Sequence, residues 1–140
     1  MNTPYWDGKL GSTLFHVVQT RDPLVAIEFG TLYGYTASLI GRALRRGHLT
    51  TYDLFGWNFK REYPSHFLRS RKWVIERSLA RQGLADKITV KKGDFWEWMK
   101  APTPFDFLWV DIGPIDPDFL LPLRGKGLVM FEVFGSAEIL

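Results

Sequence analysis

Residues 25–36, Val-Ala-Ile-Glu-Phe-Gly-Thr-Leu-Tyr-Gly-Tyr-Thr, constrain this chain more than any other stretch. Leu24 to Phe29 read as a buried strand: apolar, partly β-branched, and bounded by Pro23 and Gly30. From Tyr35 onward Ala37, Leu39, Ile40, Ala43 and Leu44 recur at helical spacing, and Gly47 ends the run. A strand, a glycine turn and a helix in that order place backbone N–H groups and a helix N-terminus at the strand's carboxyl end. Such a corner suits a carboxylate, a phosphate or the polar edge of a cofactor.

A dinucleotide-binding turn would read G-x-G-x-x-G. Here the spacing is E-x-G-x-x-x-G, from Glu28 through Gly30 to Gly34, followed by Tyr35-Thr36. In this the chain resembles the class I S-adenosylmethionine-dependent methyltransferases. The likeness is to the small O-methyltransferases of the catechol O-methyltransferase type, whose first motif runs E-x-G-x-x-x-G-Y-S/T. The resemblance implies a Rossmann-like α/β sandwich of three layers and S-adenosyl-L-methionine as cofactor. It places Glu28, Gly30, Thr31, Gly34 and Thr36 around that cofactor.

The later strands each end in an acid. Residues 47–53 read as a second strand closing on Asp53, 19 residues beyond Gly34. An acid there can accept hydrogen bonds from both ribose hydroxyls, and by resemblance Leu54 or Phe55 packs against the adenine. Alternation through Ile88, Thr89 and Val90 gives a third strand closed by Gly93-Asp94, and the family places Asp94 and Phe95 at the adenine edge. Phe105 to Asp111 form a fourth strand, similar to the family's F/Y-D-x-h-h-h-D (h apolar). Asp111 is the expected catalytic residue: it would orient a substrate hydroxyl, act as a base, or bind a divalent cation. The fifth strand, Gly125 to Phe134, carries Glu132-Val133 where metal-dependent members end it in Asp-Asn. Valine offers no donor, so no metal is expected.

Glu28, Asp53, Asp94 and Asp111 thus stand at four successive strand ends. In a parallel sheet with helical crossovers those ends share one edge. The expected sheet has five parallel strands in the order 3-2-1-4-5. No residues remain for the two further strands the family normally adds beside the fifth. The fifth strand is therefore expected to be a bare edge, covered by a second copy in a homo-oligomer. That segment of the family also contributes part of the substrate pocket, which puts activity itself in question.

At 140 residues the length fits one domain, residues 1–140. A 46% hydrophobic and 16% aromatic content supports a packed core. The absence of cysteine excludes disulfides and thiolate metal sites, and fits a reducing cytoplasm. There is no apolar signal core at the N-terminus, and no run approaches the roughly 20 apolar residues that cross a bilayer. Leu10, Leu14, Phe15, Val17 and Val18 suggest a short amphipathic helix before the first strand, with Tyr5, Trp6 and Lys9 available to a substrate mouth. Another helix, long and basic, is expected from Pro64 to Gly83, with Phe67, Leu68, Val74, Ile75, Leu79 and Ala80 inward.

Charge is unevenly placed: residues 42–92 hold thirteen Lys and Arg against four Asp and Glu, within a chain of net charge +3. Together with Trp57, Phe59 and Trp73 they suggest a nucleic-acid alternative, an RNA methyltransferase or RNA-binding derivative, although no recognition module is visible. His66, near the start of the basic helix, reads as a packing or surface residue rather than an acid–base group. The leading expectation is transfer of a methyl group to a small hydroxylated acceptor. A catalytically silent cofactor-binding or assembly module is the other alternative.

Overall fold

The two central apolar runs, within residues 25–29 and 107–110, become strands buried on both faces, which is what a parallel sheet under helical cover requires. The computed structural model describes residues 8–56 and 64–140. Its sheet contains β1 (Val25–Phe29), β2 (His48–Asp53), β3 (Ile88–Lys92), β4 (Phe107–Val110), β5 (Leu128–Val133) and β6 (Ser136–Ile139), in the order β3-β2-β1-β4-β5-β6. The first five run parallel, as expected from the sequence.

β6 is the correction. It pairs antiparallel with β5, Val133 opposite Ser136 and Met130 opposite Ile139, so β5 is not a bare edge. The chain reverses at Phe134 and Gly135, both in the left-handed region (φ 47° and 81°), a conformation suited to a tight hairpin. The β5 ladder is satisfied inside the chain, so that edge needs no second copy to cover it.

Among the described residues, five helices and a 3₁₀ helix complete the layers. One face is covered by α1 (Gly8–Arg21), α2 (Tyr35–Ala43) and α4 (Lys72–Arg81), which set Leu14, Val18, Ile40, Leu44, Ile75 and Leu79 against Phe107 and Trp109 of β4. The other is covered by α5 (Phe95–Lys100) and the 3₁₀ helix Pro117–Leu123, with Phe95, Leu120 and Leu123 against Ile27, Phe29, Leu108 and Val110. Period-two alternation along β4 therefore feeds both cores, and each fully buried large side chain contributes about 1.5–3 kcal/mol.

The expected long basic helix is two: α3 (Pro64–Arg69) and α4. Arg71 adopts an extended conformation (ψ 139°), and the Ser70 hydroxyl donates to the carbonyl of Phe67 at 2.9 Å, offering the backbone a local alternative to the helical bond. Ile75 and Leu79 are buried as expected, whereas Leu68 is half exposed. Among the described residues no helix is long and apolar enough to cross a membrane.

Candidate active site

The glycine turn after β1 is forced by its neighbour strand. Gly30 has φ 105°, and a Cβ there would lie 1.9 Å from the carbonyl oxygen of Asp111. Only glycine lets β1 and β4 close this tightly at their carboxyl ends. The Gly30 N–H donates to the Tyr52 carbonyl and the Asp111 N–H to the Phe29 carbonyl, each at 2.9 Å, tying three strand ends into one rim. Gly34, at φ 83°, then caps the start of α2.

Two clefts open on that rim and meet at Gly30, Asp111 and Ile112. The larger, about 400 Å³, is lined by Tyr52, Asp53, Leu54, Asp94, Phe95 and Trp96 among others. The smaller, about 150 Å³, is lined by Thr31, Tyr33, Tyr35, Thr36, Asp111 and Glu132 among others.

Asp53 is set firmly. Its Oδ2 accepts from the Leu32 N–H at 3.0 Å and its Oδ1 from the Phe55 N–H at 2.9 Å. Each carboxylate oxygen has two lone pairs, so acceptor capacity remains for a ligand. Asp94 caps α5 by accepting from the Trp96 N–H at 3.3 Å. Phe95 is almost wholly buried but reaches the wall of the larger cleft, and Leu54 is exposed there. Phe55 packs against the α1/α2/α4 core instead.

Glu28 lies under the rim and lines neither cleft, being 0% exposed. The Thr51 hydroxyl donates to its Oε1 at 2.6 Å, and Thr51 bonds Thr31 at 2.7 Å, so the acid anchors the turn from below. Its Oε2 has no hydrogen-bond partner among the described residues. Burial pushes its pKa up to about 8; the Thr51 hydrogen bond opposes this, while the charges of Asp111 and Asp53 add to it.

Asp111 and Glu132 face each other in the smaller cleft. β4 and β5 pair Val110 with Phe131, so the next residues, Asp111 and Glu132, follow at adjacent strand ends. Burial, then the hydrogen bond and charge of Glu132, push Asp111 up to about 7. From the sequence Glu132 reads only as an incomplete metal ligand, but the acid-at-strand-end rule that identifies the other four applies to it too.

The expected site residues are thus gathered at one rim, with two exceptions in role: Glu28 sits beneath it and Gly34 shapes the helix start. Val133 carries no donor, and among the described residues no group of three or more His, Asp and Glu is placed to hold a metal ion. The paired carboxylates Asp111 and Glu132 alone do not fit the metal centre of the metal-dependent O-methyltransferases. Tyr5, Trp6, Trp57 and Phe59 lie outside the described residues; Lys9, on α1, lines neither cleft.

A family model described as a methyltransferase domain matches residues 27–119, which run from the middle of β1 through the glycine turn and Asp111 into the 3₁₀ helix. The chain belongs to the methyltransferase domain family. Solved structures agree on the fold of this methyltransferase domain. It is similar to the O-methyltransferase TomG of Streptomyces achromogenes, involved in tomaymycin synthesis and solved with SAM (25% identity, TM-score 0.61, covering 86% of this chain and 53% of that one). An O-methyltransferase of Bacillus cereus solved with SAH gives 21% identity and a TM-score of 0.60, with 86% and 54% covered. A methyltransferase of Geobacter sulfurreducens gives 18% and 0.62, with 86% and 58% covered. The domain therefore spans little more than half the length of these proteins. A comparison with curated proteins finds no match.

Proposed function

We propose that this chain, acting as one domain in a reducing cytoplasm, binds S-adenosylmethionine across the two joined clefts and transfers its methyl group to a hydroxyl of a small molecule. The observation that carries this reading is the meeting of a large, largely apolar cleft bearing a fixed carboxylate with a small acidic one, at a glycine that admits no side chain. The family match supports it, as do the O-methyltransferases solved with SAM and SAH.

When bound, the cofactor supplies a methyl group on a sulfonium, already a good electrophile. The chain's tasks are alignment, exclusion of water and removal of one proton. Asp53 holds the ribose through its remaining lone pairs, while Leu54, Phe95 and Trp96 wall the adenine. Thr31, Thr36 and the start of α2 receive the carboxylate end, where a helix N-terminus favours negative charge. Asp111 takes the proton of the acceptor hydroxyl, and a carboxyl pushed up to about 7 is a base suited to neutral pH.

The test is calorimetry with S-adenosylhomocysteine, followed by transfer of labelled methyl from S-adenosylmethionine to a panel of hydroxylated and amino aromatics. Binding together with label on hydroxyl acceptors is expected. Failure to bind the homocysteine product, or label on amines alone, contradicts the reading.

A further inference from the structure

One cation, Arg69, stands against two tyrosines in the wall of the smaller cleft. Tyr33 and Tyr35, both in its wall, stand edge to face at 6.0 Å between ring centroids. The Arg69 guanidinium, at the end of α3, lies 4.6 Å from the centre of the Tyr33 ring and donates to the Tyr35 hydroxyl. His66, one turn earlier, meets the Tyr33 hydroxyl through Nδ1 at 2.5 Å. α3 is thereby fastened to the glycine turn, and a half-buried arginine is brought against the tyrosines of the cleft wall.

Arg69 has no carboxylate partner among the described residues. The ion pairs seen there are Arg46–Asp22, Lys72–Glu76 and Lys100–Glu97, all away from the rim. A guanidinium that stacks on a ring and spends one donor on a phenol keeps further donors in a planar fork, matched to a carboxylate or phosphate.

We propose that the methyl acceptor carries an anionic group, a carboxylate or phosphate, which Arg69 receives at the Tyr33/Tyr35 rim while the hydroxyl to be methylated reaches Asp111. This rests on the methyl-transfer reading for the hydroxyl end only. Burial favours the neutral form of Glu28 and Asp111, which lowers the negative charge facing the rim, while Glu132 in the same cleft opposes an anion, a repulsion that Arg69 must outweigh. An anion at the rim would thus meet a positive group more strongly than the count of acids suggests.

The experiment titrates para-hydroxybenzoate and para-hydroxybenzamide into the full chain by calorimetry, with and without saturating S-adenosylhomocysteine. The acid is expected to bind about tenfold more tightly than the neutral amide, an advantage that shrinks as salt is added. Arg69→Met should abolish that advantage without shifting the melting temperature of the ligand-free protein by more than a few degrees, and Arg69→Lys should restore part of it. Equal affinities, no binding of the acid, or a preference that survives Arg69→Met overturns the proposal. If the acid binds through Arg69 while S-adenosylhomocysteine does not bind at all, the methyl-transfer reading fails and the anion site stands; the reverse result separates them the other way.

Discussion

In the larger cleft Asp53 receives a backbone N–H on each carboxylate oxygen, whereas under the smaller one Glu28 has a hydroxyl on one oxygen and nothing on the other. Asp111, between the two, faces another acid. The same residue class at successive strand ends therefore does different work. Two N–H donors fix a carboxylate in place with lone pairs left to accept further hydrogen bonds. Burial without donors favours the neutral form, so the carboxyl becomes a base only as its proton leaves.

The comparison breaks most violently at the glycine where the clefts meet. Gly30→Ala would drive a methyl group into the Asp111 carbonyl at a positive φ, and should cost about 3 kcal/mol or more in urea unfolding. A loss under about 1 kcal/mol would mean that the rim is loose enough to open, and the close meeting of β1 and β4 would not define the site.

Next in size is Asp53→Ala. It removes the acceptor for two N–H groups and the proposed ribose ligand together, so affinity for S-adenosylhomocysteine should fall by about tenfold to a hundredfold, read by calorimetry. Asp53→Asn, which keeps one acceptor oxygen, should fall between. Unchanged affinity in the alanine variant would remove Asp53 from the ribose.

A third test sharpens the contrast through pH. Glu28 has its folded pKa raised from 4.5 to about 8. Between those values the folded state keeps a proton that the unfolded chain has released, so stability is fully present below about 4.5 and is lost as pH rises through about 8. The slope from one such group cannot exceed about 1.4 kcal/mol per pH unit. Asp111 adds a fall in the same direction, from 3.8 up through about 7. Glu28→Gln should therefore flatten the decline in unfolding free energy between pH 5 and 8 without abolishing it, because Asp111 remains. A profile as steep as that of the parent would show that Glu28 is not held protonated.

What the residues disclose in advance is what local pattern controls. The E-x-G-x-x-x-G turn, the apolar strands and the acid closing each of them are written in contiguous stretches, and they suffice for the parallel order 3-2-1-4-5 and for the rim. What they conceal depends on distance or on weak local signals. Ser136–Ile139 is short and partly polar, and it becomes a strand because the Phe134-Gly135 reversal lays it along β5. Tyr33 meets His66 across 33 residues and Arg69 meets Tyr35 across 34, a juxtaposition created by the break between α3 and α4. That Glu28 supports the turn from below rather than facing the cleft follows from Thr31 and Thr51 filling the space between, which spacing alone does not reveal.

The most direct measurement is a crystal structure of the chain with S-adenosylhomocysteine bound. The account predicts the adenine in the larger cleft beside Trp96 and Phe95, the ribose on Asp53, the sulfur near Gly30 and Asp111, and the carboxylate end beside Thr31 and Thr36 in the smaller cleft. A nucleoside bound elsewhere, or one lying in the cleft without contact to Asp53, would contradict it.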